Sequence, residues 1–152
     1  MSIEERLREL SLTLPGSPAP AGNYLPGTIT GNLLFTSGQI PTKDGSIVYT
    51  GIVGADLSLE DGQEAARLCC LNGLAVAKSL LQDLERIKRV VKVNGYVRSA
   101  PGFTDQPKVI NGASDLLVEA LGEPGRHARA ALGVSELPLG VGVEIDFLFE
   151  FD

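Results

Sequence analysis

An arginine and a glutamate near the end of the chain are the residues best suited to chemistry. Arg129 and Glu144 stand in GRHARAALGVSELPLGVGVEIDFLFEFD, which starts at Gly125 and reads as two apolar strands around a turn at Leu137-Pro138-Leu139-Gly140. Side chains alternate between faces along a strand. In the final strand Val141, Val143, Ile145, Phe147 and Phe149 make one apolar face, so Glu144, Asp146 and Glu150 point the other way. In the preceding strand Ala128, Ala130, Leu132 and Val134 make the expected core face, which leaves Arg129, Ala131 and Gly133 opposite. On this reading the two charges project from the non-core faces of neighbouring strands. Small neighbours leave room against Arg129, and a cation in a small-walled hollow suits a small anion, most simply a carboxylate. The same pattern describes a solvated Arg and Glu on an exposed sheet face, and spacing alone leaves both readings open.

Three further polar residues, Tyr24, Ser37 and Asn111, are candidates to converge with them. Tyr24 and Ser37 flank an opening hairpin, and Asn111 lies inside a helix, where asparagine is a mediocre helix former. Read conservatively, Tyr24 and Ser37 are turn and packing residues. Other chemistries find little support. His127 is the single histidine and reads as a partly exposed loop residue, so no Ser-His-Asp order is suggested. Cys69 and Cys70 fall on an apolar helix stripe and read as buried packing groups, and an adjacent pair is a poor disulfide. No Cys/His spacing resembles a metal site, and no glycine-rich phosphate loop precedes a helix.

The elements that must position these residues are legible in outline. Ser2 and Glu5 form a capping box for a short N-terminal helix with Ile3, Leu7 and Leu10 on one face, ending before Pro15. LPGSPAPAGNYLPG is too rich in Pro and Gly for regular structure. Thr28 to Thr30 and Leu33 to Ser37 read as a hairpin around Gly31-Asn32, and Ser46 to Tyr49 as a short third strand. Leu59 to Leu84 carries a broad helical stripe, Val90 to Val97 is a strand whose Gly95 marks a possible bulge, and Asp105 to Leu121 is a second main helix. The order implies a single α+β domain over residues 1–152, with 1–14 a helical extension and a mixed β-sheet carrying both main helices on one face.

The length suits one domain, and an apolar content of 43% without tryptophan implies an aliphatic core. A net charge of −6 argues against a general nucleic-acid binder. Arg86, Lys88, Arg89 and Lys92 flank a helix end and a strand start rather than form a basic stripe. MSIEERLREL is not a signal peptide, and no apolar run is long enough to cross a bilayer. A reducing cytoplasm is the expected location.

From about Pro15 onward the chain resembles the RidA family, also called YjgF/YER057c/UK114. The matching segments are PAPAGNYLPG, GNLLFTSGQIP, ARAALGV and LP-LGVGVEID, in order over nearly the whole chain. The resemblance implies a chorismate-mutase-like fold and a homotrimer with clefts between subunits. It also implies cofactor-free hydrolysis of reactive 2-enamino and 2-imino acids, such as 2-aminoacrylate, to the keto acid and ammonia. Carried over, Arg129 corresponds to the arginine that grips the substrate carboxylate and Glu144 to the acid near the attacking water. Tyr24, Ser37 and Asn111 correspond to pocket residues. The chain departs from the pattern at Ala131, where many members carry cysteine, at Asn23, where proline is common, and in its added N-terminal helix. These traits resemble the longer, less characterised branch.

A tight final hairpin would pair Glu144 near Gly133 and leave Arg129 roughly 13 Å away along the strand. Either the register is offset by a wider connection, or the site combines groups from two chains; the second is favoured, because a sheet with helices on one face needs cover on the other. The rival function is a protein that senses a small carboxylate at the same cleft without turnover. Endoribonuclease activity fits the acidic charge poorly, and chorismate mutation of a dianion would want more than one cation.

Overall fold

The computed structural model describes all 152 residues. Helix α1 (Ile3–Glu9) opens the chain with the expected capping box between Ser2 and Glu5. Strands β1 (Gly27–Thr30) and β2 (Leu33–Thr36) form the opening hairpin. A separate two-stranded ribbon follows, β3 (Thr42–Lys43) and β4 (Ser46–Ile47), so the third strand pairs locally and does not join the main sheet. Then come α2 (Leu59–Leu81), β5 (Ile87–Arg98), α3 (Gln106–Leu121), β6 (Ala128–Val134) and β7 (Val143–Phe151).

Helix α2 starts on a second capping box, Ser58 with Asp61, and ends where Gln82 takes a left-handed φ of 69°. Helices α2 and α3 pack against each other on one face of the five-stranded sheet. Their apolar stripes meet β5 and β7 in an aliphatic core in which Leu74, Leu116, Leu117, Val93, Ile145 and Phe149 are fully buried. Cys69 and Cys70 are buried there as well. Helix α1 is no loose appendage. It contacts α3, buries Ile3 and Leu7, and its Arg6 donates to the Ala120 carbonyl near the end of α3.

The sheet order is β1-β2-β7-β5-β6. The two closing strands are therefore not neighbours. Strand β5 runs between them, parallel to β6 and antiparallel to β7. The segment read as a hairpin turn is a crossing over the end of β5, where Leu139 takes a φ of 60° between Pro138 and Gly140. The register irregularities of β5 fall between Ile87 and Lys92, away from Gly95. Gly95 serves close packing instead: a Cβ there would lie 2.5 Å from Ile110 Cδ1. Its absence lets α3 lie close against β5 and the neighbouring β6.

Strand β7 has the expected polarity, with Val143, Ile145, Phe147 and Phe149 all buried under the helices. The polarity of β6 is the reverse of that expected. Arg129 is paired with Val93, a fully buried residue of the helix-covered face, so Arg129 also projects towards the helices. Leu132 lies on the open face, paired with Tyr96, and is 52% exposed. Alternation alone cannot orient a strand when both of its faces are small or apolar.

Candidate functional site

The five candidate residues divide into two groups on opposite sides of the sheet. Arg129 and Asn111 form the first. Asn111 and Ser114 lie three residues apart on α3 and so share a face. Arg129 reaches across from the sheet edge and donates from Nη1 to Asn111 Oδ1 at 2.8 Å and to Ser114 Oγ at 3.1 Å. Ser114 also meets His127 Nε2 at 2.8 Å, while His127 Nδ1 lies 2.6 Å from the Gly125 carbonyl oxygen. His127 is thus half-buried with both ring nitrogens engaged, not merely a loop residue. Its burial, with the Arg129 cation adding to the effect, holds its pKa below the ordinary value.

Tyr24, Ser37 and Glu144 form the second group, around a cavity of about 340 Å³ on the open side, with Gly38, Pro138 and Leu139 completing its walls. Glu144 pairs with Tyr96, three residues along β5 from the partner of Arg129, so the two side chains leave the sheet on opposite faces. A paired backbone bridge between Gln39 and Ile145 lays the β2–β3 connection over Glu144. Gly38 is the point of contact: a Cβ there would sit 2.6 Å from Glu144 Oε2. Ser37 donates its hydroxyl to the Leu25 carbonyl, and Tyr24 Oη accepts from the Ala21 amide at 3.2 Å. These bonds tie the Pro-rich segment to the cavity mouth.

Glu144 makes no ion pair. Burial, and then the negative charge of Asp146 two residues on, raise its carboxyl pKa. Asp146 itself accepts from Asn94 Nδ2 at 2.8 Å. A half-buried carboxylate with a raised pKa and no cation beside it is suited to exchanging a proton with a bound species. A larger hollow of about 870 Å³ lies under the segment from Ser11 to Ala19 and contains none of the five residues. No group of three His, Cys, Asp or Glu side chains is gathered closely enough to hold a metal ion.

The sequence profile described as "YjgF/chorismate mutase-like, putative endoribonuclease" matches residues 4–150. The chain belongs to this family. Protein TCP17 of Trypanosoma cruzi is 46% identical over 151 residues, covering 99% of this chain and 94% of that protein. The crystal structure of Atu1372 from Agrobacterium tumefaciens, a protein of unknown function, is 53% identical, with a TM-score of 0.93 and coverage of 99% and 92% of the two chains. The 2-iminobutanoate/2-iminopropanoate deaminase of Dermatophagoides farinae is 30% identical over 135 residues, covering 89% and 91%. The YjgF-family match begins inside α1, so the N-terminal helix falls within the family profile.

The sequence pattern passed over Ser114 and Gly38, and placed Asp146 on the side of Glu144 without giving it a role. A signal existed for Ser114: its three-residue spacing from Asn111 and the two-residue spacing of His127 from Arg129 place all four side chains on facing surfaces once β6 is turned the right way.

Proposed function

We propose that this YjgF-family protein hydrolyses small 2-enamino and 2-imino acids to 2-keto acids and ammonia, without a cofactor, at a site shared between two chains of a homotrimer. The observation that carries the reading is the division just described. One face holds an arginine with a free donor edge and no carboxylate paired with it, and the other holds a carboxylate with a raised pKa and no cation. Each is half of a site for a carboxylate-bearing imine, and a second copy of the chain supplies the missing half. The open face also leaves Phe35 and Leu132 43% and 52% exposed, as expected of a surface that another subunit covers. The deaminase relative from Dermatophagoides supports the reaction class.

In this scheme Arg129 binds the substrate carboxylate through two parallel N–H groups. Glu144 of the facing chain takes a proton from water as its oxygen attacks the imine carbon. Attack on the protonated imine leaves a neutral carbinolamine, which then collapses: Glu144 returns its proton to the nitrogen, the C–N bond breaks as ammonia departs, and the carbinolamine hydroxyl gives up its proton to Glu144 to leave the keto acid. An enamine is first protonated at carbon, which gives the same protonated imine. Tyr24 and Ser37 shape the pocket at the reacting end. The test is keto-acid release from 2-aminoacrylate generated in situ, against the spontaneous background, together with calorimetry using pyruvate. Turnover above background that is lost in Arg129→Gln and in Glu144→Gln supports the reading. Pyruvate binding with no turnover above background replaces it by metabolite sensing.

A further inference from the structure

The hydrogen-bond chain behind Arg129 has a fixed direction. The Gly125 carbonyl can only accept, so His127 Nδ1, 2.6 Å away, carries a hydrogen. In the neutral ring Nε2 is then an acceptor, and the Ser114 hydroxyl, 2.8 Å away, donates to it. The lone pairs of Ser114 Oγ are thereby turned towards Arg129, whose Nη1 lies 3.1 Å away. The other Nη1 hydrogen goes to Asn111 Oδ1 at 2.8 Å. Both Nη1 hydrogens are consumed on α3. What remains of the guanidinium is the edge made by Nε and Nη2, whose two N–H bonds run parallel and match the two oxygens of a carboxylate.

We infer that Ser114 and His127 are a positioning pair, which fixes the plane of the Arg129 guanidinium so that its Nε–Nη2 edge faces the substrate carboxylate. The inference rests on the proposed role of Arg129 as carboxylate anchor. Three features support it. Asn111 alone would leave the guanidinium free to swing about a single hydrogen bond, whereas two acceptors on one nitrogen fix the plane. The burial of His127 keeps its ring neutral, which is the only state in which Nε2 can accept from the hydroxyl. Ser114 is not arranged as a nucleophile, because its oxygen already accepts from a cation.

The pair acts on binding, so its loss should raise KM and the dissociation constant for pyruvate while leaving kcat close to wild type. Ser114→Ala and His127→Phe should each weaken pyruvate binding by about three- to tenfold, the effect of one lost hydrogen bond. His127→Gln should recover most of that loss, because its side-chain amide oxygen can stand where Nε2 accepts. A role in packing alone predicts the opposite order, since Phe keeps the ring and Gln does not. Calorimetry with pyruvate on the intact assembly, with Arg129→Gln as a further arm, decides the matter. Loss of binding in Arg129→Gln, with Gln tighter than Phe at position 127, establishes the positioning pair. Loss in Arg129→Gln with wild-type affinity in Ser114→Ala and His127→Phe overturns the pair and leaves the anchor standing, as does Phe binding tighter than Gln. Wild-type affinity in Arg129→Gln overturns both.

Discussion

Arg129 and Glu144 are held in opposite ways. The guanidinium is ordered by two acceptors on α3 and by a histidine behind one of them, so its direction is set before any ligand arrives. The carboxylate of Glu144 is crowded by Gly38, partly desolvated and faced by another negative charge, with no donor side chain to settle it. The first arrangement suits a group that must bind and stay charged. The second suits a group that must change charge, because a carboxylate firmly bonded to a cation would be too weak a base to move a proton. One sheet separates the two arrangements, so the proposed anchor and the proposed base of a single chain leave it on opposite faces.

The most severe test of that comparison mixes two inactive proteins. Arg129→Gln and Glu144→Gln should each abolish most turnover alone. Refolded together, a chain carrying Glu144→Gln still offers its arginine and a chain carrying Arg129→Gln still offers its glutamate. Random assembly of a cyclic trimer would rebuild about a quarter of the sites with both groups intact. Recovery of roughly that share of wild-type rate is the expected result, and no recovery would place the whole site in one chain. Taken singly, the two variants should also differ. Loss of the Arg129 anchor removes a charge-assisted pair, roughly 1.5–3 kcal/mol, so pyruvate affinity should fall about ten- to a hundredfold. Glu144→Gln should hold or improve that affinity while turnover falls about a hundredfold or more.

The sequence exposed some of this arrangement and hid the rest, for physical reasons. Strand β7 was readable because it is a central strand with one dry face. Val143, Ile145, Phe147 and Phe149 are all buried, and that places Glu144 on the other side without ambiguity. The two main helices were readable from their stripes and α1 from its capping box, while the Ser58–Asp61 box that starts α2 went unread. The neighbour relations of the strands were not, because alternation says nothing about which strand pairs with which, and β5 intervenes where a hairpin was expected. Strand β6 carried an alanine on either side of Arg129, so its two faces looked alike, and the apolar residue that suggested a core face, Leu132, lies on the open side. Arg129 points under the helix because α3 provides acceptors for it there. That information resides in Asn111 and Ser114, far along the chain, and only the first of them was singled out. Tyr24 and Ser37 stood out as polar groups beside the opening hairpin, but spacing could not tell a pocket from a turn there, and the cavity they share with Glu144 depends on the non-local Gln39–Ile145 bridge.

The two groups should also leave opposite marks on stability. Glu144 has a raised pKa in the fold, so the native state binds the proton more tightly than the unfolded chain does. Its contribution is most favourable at low pH and is lost as pH rises from about 4.5, the ordinary value, through the raised one. At neutral pH the charged form opposes folding, and Glu144→Gln should raise the melting temperature there, with the gain fading below pH 4.5. His127 has a lowered pKa, so the unfolded chain binds the proton more tightly. Its contribution is present above the ordinary value of 6.5 and is lost as pH falls through that value towards the lowered one. His127→Gln should flatten the melting-temperature profile in that window and leave it unchanged above it. A Glu144→Gln protein that melts lower than wild type at pH 7 would show that the carboxylate is satisfied after all.

The smallest effect on activity is expected from the cysteines, although one of them lies directly behind Glu144. Cys69 is fully buried on α2, and its Sγ is 3.8 Å from the carbonyl oxygen of Val143, the residue before Glu144. Burial pushes both thiols up, Cys69 further through the nearby Cys70 and Glu144, so neither forms the thiolate that nucleophilic chemistry needs. Their role is to fill space under β7. Replacing either by alanine removes one sulfur from a close-packed interior and should cost about 1 kcal/mol of stability. It should leave the open face, where Glu144 and its cavity lie, unmoved, because β7 stays clamped between β2 and β5. Keto-acid release by Cys69→Ala and Cys70→Ala should match wild type at a temperature well below melting. A thiol-alkylating reagent should label neither cysteine until the protein unfolds. Loss of turnover in Cys69→Ala, with fold and assembly intact, would mean that the helix side of β7 sets the position of Glu144 and that the two faces of the sheet are coupled rather than independent.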